Sequence, residues 1–145
     1  MKITFVCTGN TCRSPMLMYM FRDYAQKVGF ECETDSAGLM DGGSPVNPNT
    51  VAVLKSRGID AANYVSKTFD DALAAQSDYV FAMTDALRDA LLEKYPSCNV
   101  RSLSEVAGTE IADPYGMELA AYEAVGDAFE GILDAVLSSV ADKKV

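Results

Sequence analysis

A chain of 145 residues, 49% apolar and 23% charged, has the length and balance of one globular domain, so a single domain over residues 1–145 is expected. Its formal charge of −9 argues against nucleic-acid and anionic-membrane partners, yet leaves room for a small positive pocket that takes one phosphate. Histidine is absent, which removes Ser-His and Cys-His nucleophile pairs, imidazole general bases and histidine-ligated metals.

The opening MKITFVCTGN holds too short an apolar run for a secretory leader, and no later run approaches the ~20 apolar residues of a membrane span. A soluble, cytoplasmic protein with reduced thiols is expected. Ile3 to Val6 is a β-branched and aromatic run fit for a buried strand. Ser14-Pro15 then predicts an N-cap and a proline at the first helical position. Leu17, Met20, Phe21, Tyr24 and Val28 recur at helical spacing, and Gly29 closes the helix. Glu31 to Ser36 reads as a second strand, and Asn47-Pro48 repeats the cap-then-proline signal ahead of Val51, Leu54 and Gly58.

Thr68 to Gln76 reads as a short helix with Thr68 and Asp71 in capping-box positions. Asp78 to Met83 is a third strand, Thr84 caps a helix carrying Leu87, Leu91 and Tyr95 up to Pro96, and Asn99 to Leu103 is a fourth strand. Ser104 to Gly116 reads as a loop. One last helix carries Tyr122, Val125, Phe129, Ile132, Val136 and Val140 on a single stripe, before a short charged tail, Asp142-Lys143-Lys144. Alternating helices and buried-type strands imply an α/β fold with a four-stranded parallel sheet and helices on both faces. In such sheets the ligand sits outside the carboxyl ends of the strands. The segment Cys7 to Ser14, between the first strand and the first helix, occupies that place.

That segment is Cys7-Thr8-Gly9-Asn10-Thr11-Cys12-Arg13-Ser14. A short loop between a strand and a helix start aims backbone N–H groups at one spot, with the helix dipole behind them, and so predicts a phosphate-binding loop. Gly9 and Asn10 tolerate the left-handed backbone a tight cradle needs. Arg13 offers a planar fork for two phosphate oxygens. A lone cysteine after a buried strand is ordinarily a small core residue. Cys7 at the base of this cradle is harder to read as packing, because the N–H groups and Arg13 favour its thiolate, a nucleophile for phosphoryl transfer that requires no histidine.

CTGNTCRSPM resembles the signature of the low-molecular-weight protein tyrosine phosphatase family. The likeness extends to Asp35-Ser36-Ala37-Gly38 after the second strand, to Asp113-Pro114-Tyr115-Gly116, and to the order of elements over nearly the whole chain. The resemblance implies Cys7 as the nucleophile of a phosphocysteine intermediate and Arg13 as the binder of phosphoryl oxygens. It implies Asp113 as the acid for the leaving group and then the base for water. On its own residues, an Asp-Pro pair is more often a plain turn. Asn10, Ser14 and Ser36 resemble the family's loop-supporting residues. Cys12 is either packing beneath the loop or a disulfide partner that shields Cys7 from overoxidation. Cys32 and Cys98 read as packing residues. Tyr64 stands where members of the family commonly carry histidine.

Thr11 resembles the protein-arginine phosphatase branch of that family. Physically, its hydroxyl gives the leaving group a polar, narrower wall, better for a guanidinium than for a phenol. Tyr115 is followed by Gly116 and Met117, without the second aromatic often found in tyrosine-specific members. Phosphoarginine is therefore favoured over phosphotyrosine, although one contact commonly provides only ~1–3 kcal/mol of discrimination. The expected partner is a phosphorylated protein or peptide, taken by a monomer without cofactor. A metal at Cys7 and Cys12 is disfavoured, since the remaining ligands would have to be Cys32, Cys98 or carboxylates. Arsenate reduction would need relay cysteines that Ala82 to Leu92 lacks. A non-catalytic anion-binding module with Cys7 as a redox-sensing thiol is the remaining alternative.

Overall fold

Every residue from Ile3 to Cys7 is buried in β1 (Lys2–Cys7), as a strand with neighbours on both sides and helices above and below requires. The computed structural model describes residues 1–40 and 42–141, so the charged tail lies outside the described residues. After β1 come α1 (Arg13–Val28), β2 (Glu33–Gly38), α2 (Pro48–Ser56), α3 (Asp71–Gln76), β3 (Tyr79–Ala82) and α4 (Asp85–Lys94). β4 (Val100–Ser102), α5 (Leu103–Ala107), α6 (Leu119–Glu130) and α7 (Leu133–Ala141) complete the order.

The four strands are parallel and lie in the order β2-β1-β3-β4. The chain steps one way from β1 to β2 and the other way from β3 to β4. Right-handed crossovers then put α1 and α4 on opposite faces of the sheet. The direction reverses beside β1, so the switch-point crevice opens at the carboxyl ends of β1 and β3, next to Cys7. Phe5 holds the centre of the core, 5.5 Å from the Phe21 ring of α1 and 5.8 Å from Phe81 of β3. Tyr122, Phe129, Val136 and Val140 are fully buried, so the predicted C-terminal stripe does face the core.

Several caps form as expected. Asn47 Oδ1 accepts from Asn49 N–H with Pro48 at the first helical position, Thr84 caps α4, and Gly29 ends α1 at φ 78°. Elsewhere the structure differs from expectation. Ser14 does not cap α1; the helix starts at Arg13 after Cys12, which makes no side-chain cap bond. The Ser14 hydroxyl is held instead beside Cys7 Sγ, 3.0 Å away. Val28 leaves the apolar stripe and is exposed. β2 runs two residues later than expected, because pairing with β1 carries it to Gly38 opposite Cys7.

α3 starts late too. Asp70 is its cap, accepting from Leu73 N–H, while Thr68 Oγ1 donates to Met40 O. The expected loop after β4 begins with a helix, α5, whose capping box joins Ser102 and Glu105 reciprocally. The last helix is two, α6 and α7, separated by a turn at Gly131 and Ile132 that keeps the buried stripe in phase.

Candidate active site

Asn10 sets the shape of the loop after β1. Its φ of 57° is the one left-handed non-glycine conformation among the described residues, and Gly9, expected to share that role, does not adopt it. The turn aims Asn10 N–H at Cys7 Sγ, 3.2 Å away. All hydrogen-bonding positions of the Asn10 amide are filled. Nδ2 donates to Ser14 Oγ at 2.8 Å and to Ser36 Oγ at 3.0 Å, while Oδ1 accepts from Tyr64 OH at 2.8 Å and Lys67 N–H at 2.9 Å. Ser14 Oγ accepts the Asn10 bond, so its own proton is free for Cys7 Sγ at 3.0 Å, a better partner than Ala37 O at 3.4 Å. The sulfur thus has the Asn10 N–H directed at it and the Ser14 hydroxyl beside it.

Gly38 lets β2 approach this loop. A Cβ there would stand 2.8 Å from Thr8 O, closer than real packing allows, and 3.1 Å from Asn10 N, tighter than most. Thr8 O accepts from the N–H groups of Leu39 and Met40, and Thr11 O accepts from Asn47 N–H, which ties the start of α2 to the loop. Cys12 Sγ lies 3.5 Å from the Tyr122 hydroxyl and 3.7 Å from Thr11 Oγ1. Burial pushes the Cys12 thiol up despite both contacts, and burial with the Cys12 contact raises the Tyr122 phenol as well. Cys12 is thus held as a neutral thiol.

Arg13 is 4% exposed, an unusual depth for a permanent cation. Nη1 donates to Ile111 O at 2.9 Å and Nη2 stands 3.7 Å from Asp113 Oδ2. Its Nε is buried without a hydrogen-bond partner among the described residues. A buried unmatched guanidinium donor is costly unless an anion completes it, so the residues fit an oxyanion. Asp113 belongs to the loop between α5 and α6, its side chain half exposed, with Oδ1 accepting from Tyr115 N–H. The Asp-Pro segment is therefore a turn, and it also reaches the cradle.

Cys7, Thr8, Gly9, Asn10, Thr11, Cys12, Asp113 and Tyr115 line one cleft of about 620 Å³, with Met40 and the segment from Ser44 to Pro48 completing the lining. Arg13, Ser14 and Ser36 are buried around it and touch its lining residues. Cys32 and Cys98 pack against the core, outside the residues lining the cleft. Tyr64 hydrogen-bonds the Asn10 carboxamide and the Ser36 hydroxyl, so the position that departs from the family pattern supports the loop. Gly38, Asn47 and Ile111 escaped the site reading, the last two because a backbone N–H and a backbone carbonyl leave no mark on residue type. A small residue at the end of a strand, as Gly38 is, was the one signal available.

The profile of the family described as low molecular weight phosphotyrosine protein phosphatase matches residues 2–145. A protein-arginine-phosphatase from Geobacillus stearothermophilus is 35% identical over 139 residues, 92% of this chain and 91% of its own length. A low molecular weight protein-tyrosine-phosphatase from Staphylococcus haemolyticus is 34% identical, covering 92% of this chain and 93% of its own. Among solved structures, the low molecular weight protein tyrosine phosphatase from T. tengcongensis superposes with a TM-score of 0.90 at 32% identity, over 96% of this chain and 99% of that one.

Proposed function

The chain belongs to the low molecular weight phosphotyrosine protein phosphatase family, and we propose that it removes phosphate from phosphoarginine in proteins through a phosphocysteine intermediate. The observation that carries this reading is that Cys7 and Asp113 line one cleft, with the buried Arg13 beside Asp113. The sulfur receives the Asn10 N–H, and the buried guanidinium reaches to within 3.7 Å of the carboxylate.

In the first step the Cys7 thiolate attacks phosphorus, the S–P bond forms and the P–N bond to the guanidino group breaks. Asp113 gives its proton to the departing nitrogen. The loop N–H groups and Arg13 take the charge on the phosphoryl oxygens, and Arg13 needs no proton change to do so. In the second step water attacks phosphorus, Asp113 takes its proton, and the S–P bond breaks to return the thiolate and release phosphate. Thr11 and Tyr115 line the cleft and would select the leaving group. Cys12, in the same loop, is the partner for a reversible disulfide with Cys7 under oxidation. A reducing cytoplasm is the compartment this chemistry implies. Every residue it uses comes from one chain, so a monomer suffices.

Phosphotyrosine is the second reading, favoured by the apolar walls of Met40, Pro45, Val46 and Tyr115, which would suit a phenol ring. A side-by-side measurement of kcat/KM on phosphoarginine and phosphotyrosine peptides tests the choice. Faster hydrolysis of the phosphoarginine peptide is expected, and the reverse order overturns the assignment.

A further inference from the structure

The loop that carries Asp113 leaves α5 at Gly108, whose φ of 77° turns the chain out of the helix. Two residues later Glu110, although exposed, is tied to the start of α4: its Oε2 accepts the Asp85 N–H at 2.8 Å. That amide belongs to the first turn of α4, where backbone N–H groups have no partner within the helix and the dipole favours an anion. The Leu87 N–H of the same turn is taken by Thr84 Oγ1. The landing point is firmly built. Asp85 Oδ1 accepts from Ser104 Oγ at 2.6 Å and from Ser102 Oγ, while Arg88 stands 3.5 Å from Asp85 and 2.8 Å from Glu105. α4 is in turn registered with the strand that ends at Cys7, because Met83 N–H donates to Val6 O at 3.1 Å.

We propose that Glu110 is a positioning residue for Asp113, a clasp that joins the loop of the proposed acid to the start of α4 and so to the frame that holds Cys7. The inference rests on the phosphatase reading above and names a residue that reading does not use. Glu110 is not among the residues lining the cleft, so its influence passes through the backbone. Its neighbour Ile111 is 4% exposed, and the Ile111 carbonyl holds Arg13 Nη1. Consecutive residues are therefore fastened to two different elements, Glu110 to α4 and Ile111 to α1. Asp113 comes two positions later, 3.7 Å from Arg13. Beyond Ile111 the bonds from Tyr115 N–H to Asp113 Oδ1 and from Met117 N–H to Pro114 O stay within the loop. They shape it without tying it to the cradle. Its place is set at Glu110 and Ile111, and by the burial of Pro114.

The test measures kcat/KM, which covers transfer of the phosphoryl group to sulfur, on p-nitrophenyl phosphate and on phenyl phosphate. Nitrophenolate departs without a proton and phenol requires one, so the second substrate is the one that depends on the acid. Glu110→Ala should lower the phenyl phosphate value about fivefold relative to the p-nitrophenyl phosphate value, the scale of one anion lost from a helix N-terminus. Glu110→Gln keeps an acceptor and should lose less. On an Asp113→Asn background, Glu110→Ala should add no further leaving-group effect. An unchanged ratio, equal losses on both substrates, or the same effect repeated without the Asp113 carboxylate overturns the proposal. Should Glu110→Ala fail to fold, Glu110→Gln is judged by the same three outcomes. A parent protein that turns over neither ester refutes the phosphatase reading instead, and an Asp113→Asn variant that loses equally on both esters refutes Asp113 as the acid; the proposal falls with either.

Discussion

The two loops that meet at the cleft are built in opposite ways. From Cys7 to Ser14 the chain is largely buried, and both side-chain and backbone groups are tied to α2, β2 and the segment around Tyr64 and Lys67. The loop carrying Asp113 is anchored by the buried Ile111, whose carbonyl holds Arg13, and by the buried Pro114, while Asp113, Tyr115 and Met117 stay exposed. A group that must stabilise an anion works best when its donors are fixed beforehand, without reorganisation during the reaction. A group that gives a proton to a departing substrate and later takes one from water needs access to both. The contrast in burial follows the division of labour proposed for the two loops.

Substitutions should separate the two loops by size of effect. Cys7→Ser should lower turnover by more than about a thousandfold while phosphate or vanadate binding persists, measured by single-turnover kinetics and calorimetry. Asp113→Asn should reduce the rate about a hundredfold with an alkyl or guanidino leaving group and much less with p-nitrophenol. Equal losses would remove it as the acid. Gly38→Ala should disturb only the rigid loop, because its Cβ meets Thr8 O at 2.8 Å. Overpacking of that kind costs about 1–3 kcal/mol, which chemical denaturation and a matching fall in kcat would register. Thr11→Ile should raise the ratio of phosphotyrosine to phosphoarginine hydrolysis about tenfold with stability nearly unchanged, the range one contact commands.

The rigid loop was also the more legible of the two. Cys7, Asn10 and Arg13 are residue types whose chemistry is specific and whose order along the chain is local. The caps at Asn47 and Thr84 were readable for the same reason. Ser14 looked like a cap because serine before proline usually is one; a sulfur brought alongside it by the fold recruited its hydroxyl. β2 ended late because its last residues, Ala37 and Gly38, are poor strand formers whose pairing is imposed by β1. α5 spans five residues, too few for periodicity to reveal, although its Ser102–Glu105 box was present in the sequence. The break at Gly131 left the stripe in phase, so spacing could not show it. That the Asp113 loop reaches Arg13 is a tertiary fact with no local sign.

Cys12 touching Tyr122, and Arg13 bonded to Ile111, join the start of the chain to its last third. A ribosome emits Cys7, the proposed nucleophile, within the first ten residues, yet the atoms that fasten its neighbours emerge about a hundred residues later. On the proposed reading, a product that stops short of Ile111 and Tyr122 would carry the sulfur of Cys7 without the contacts that hold Cys12 and Arg13 beside it.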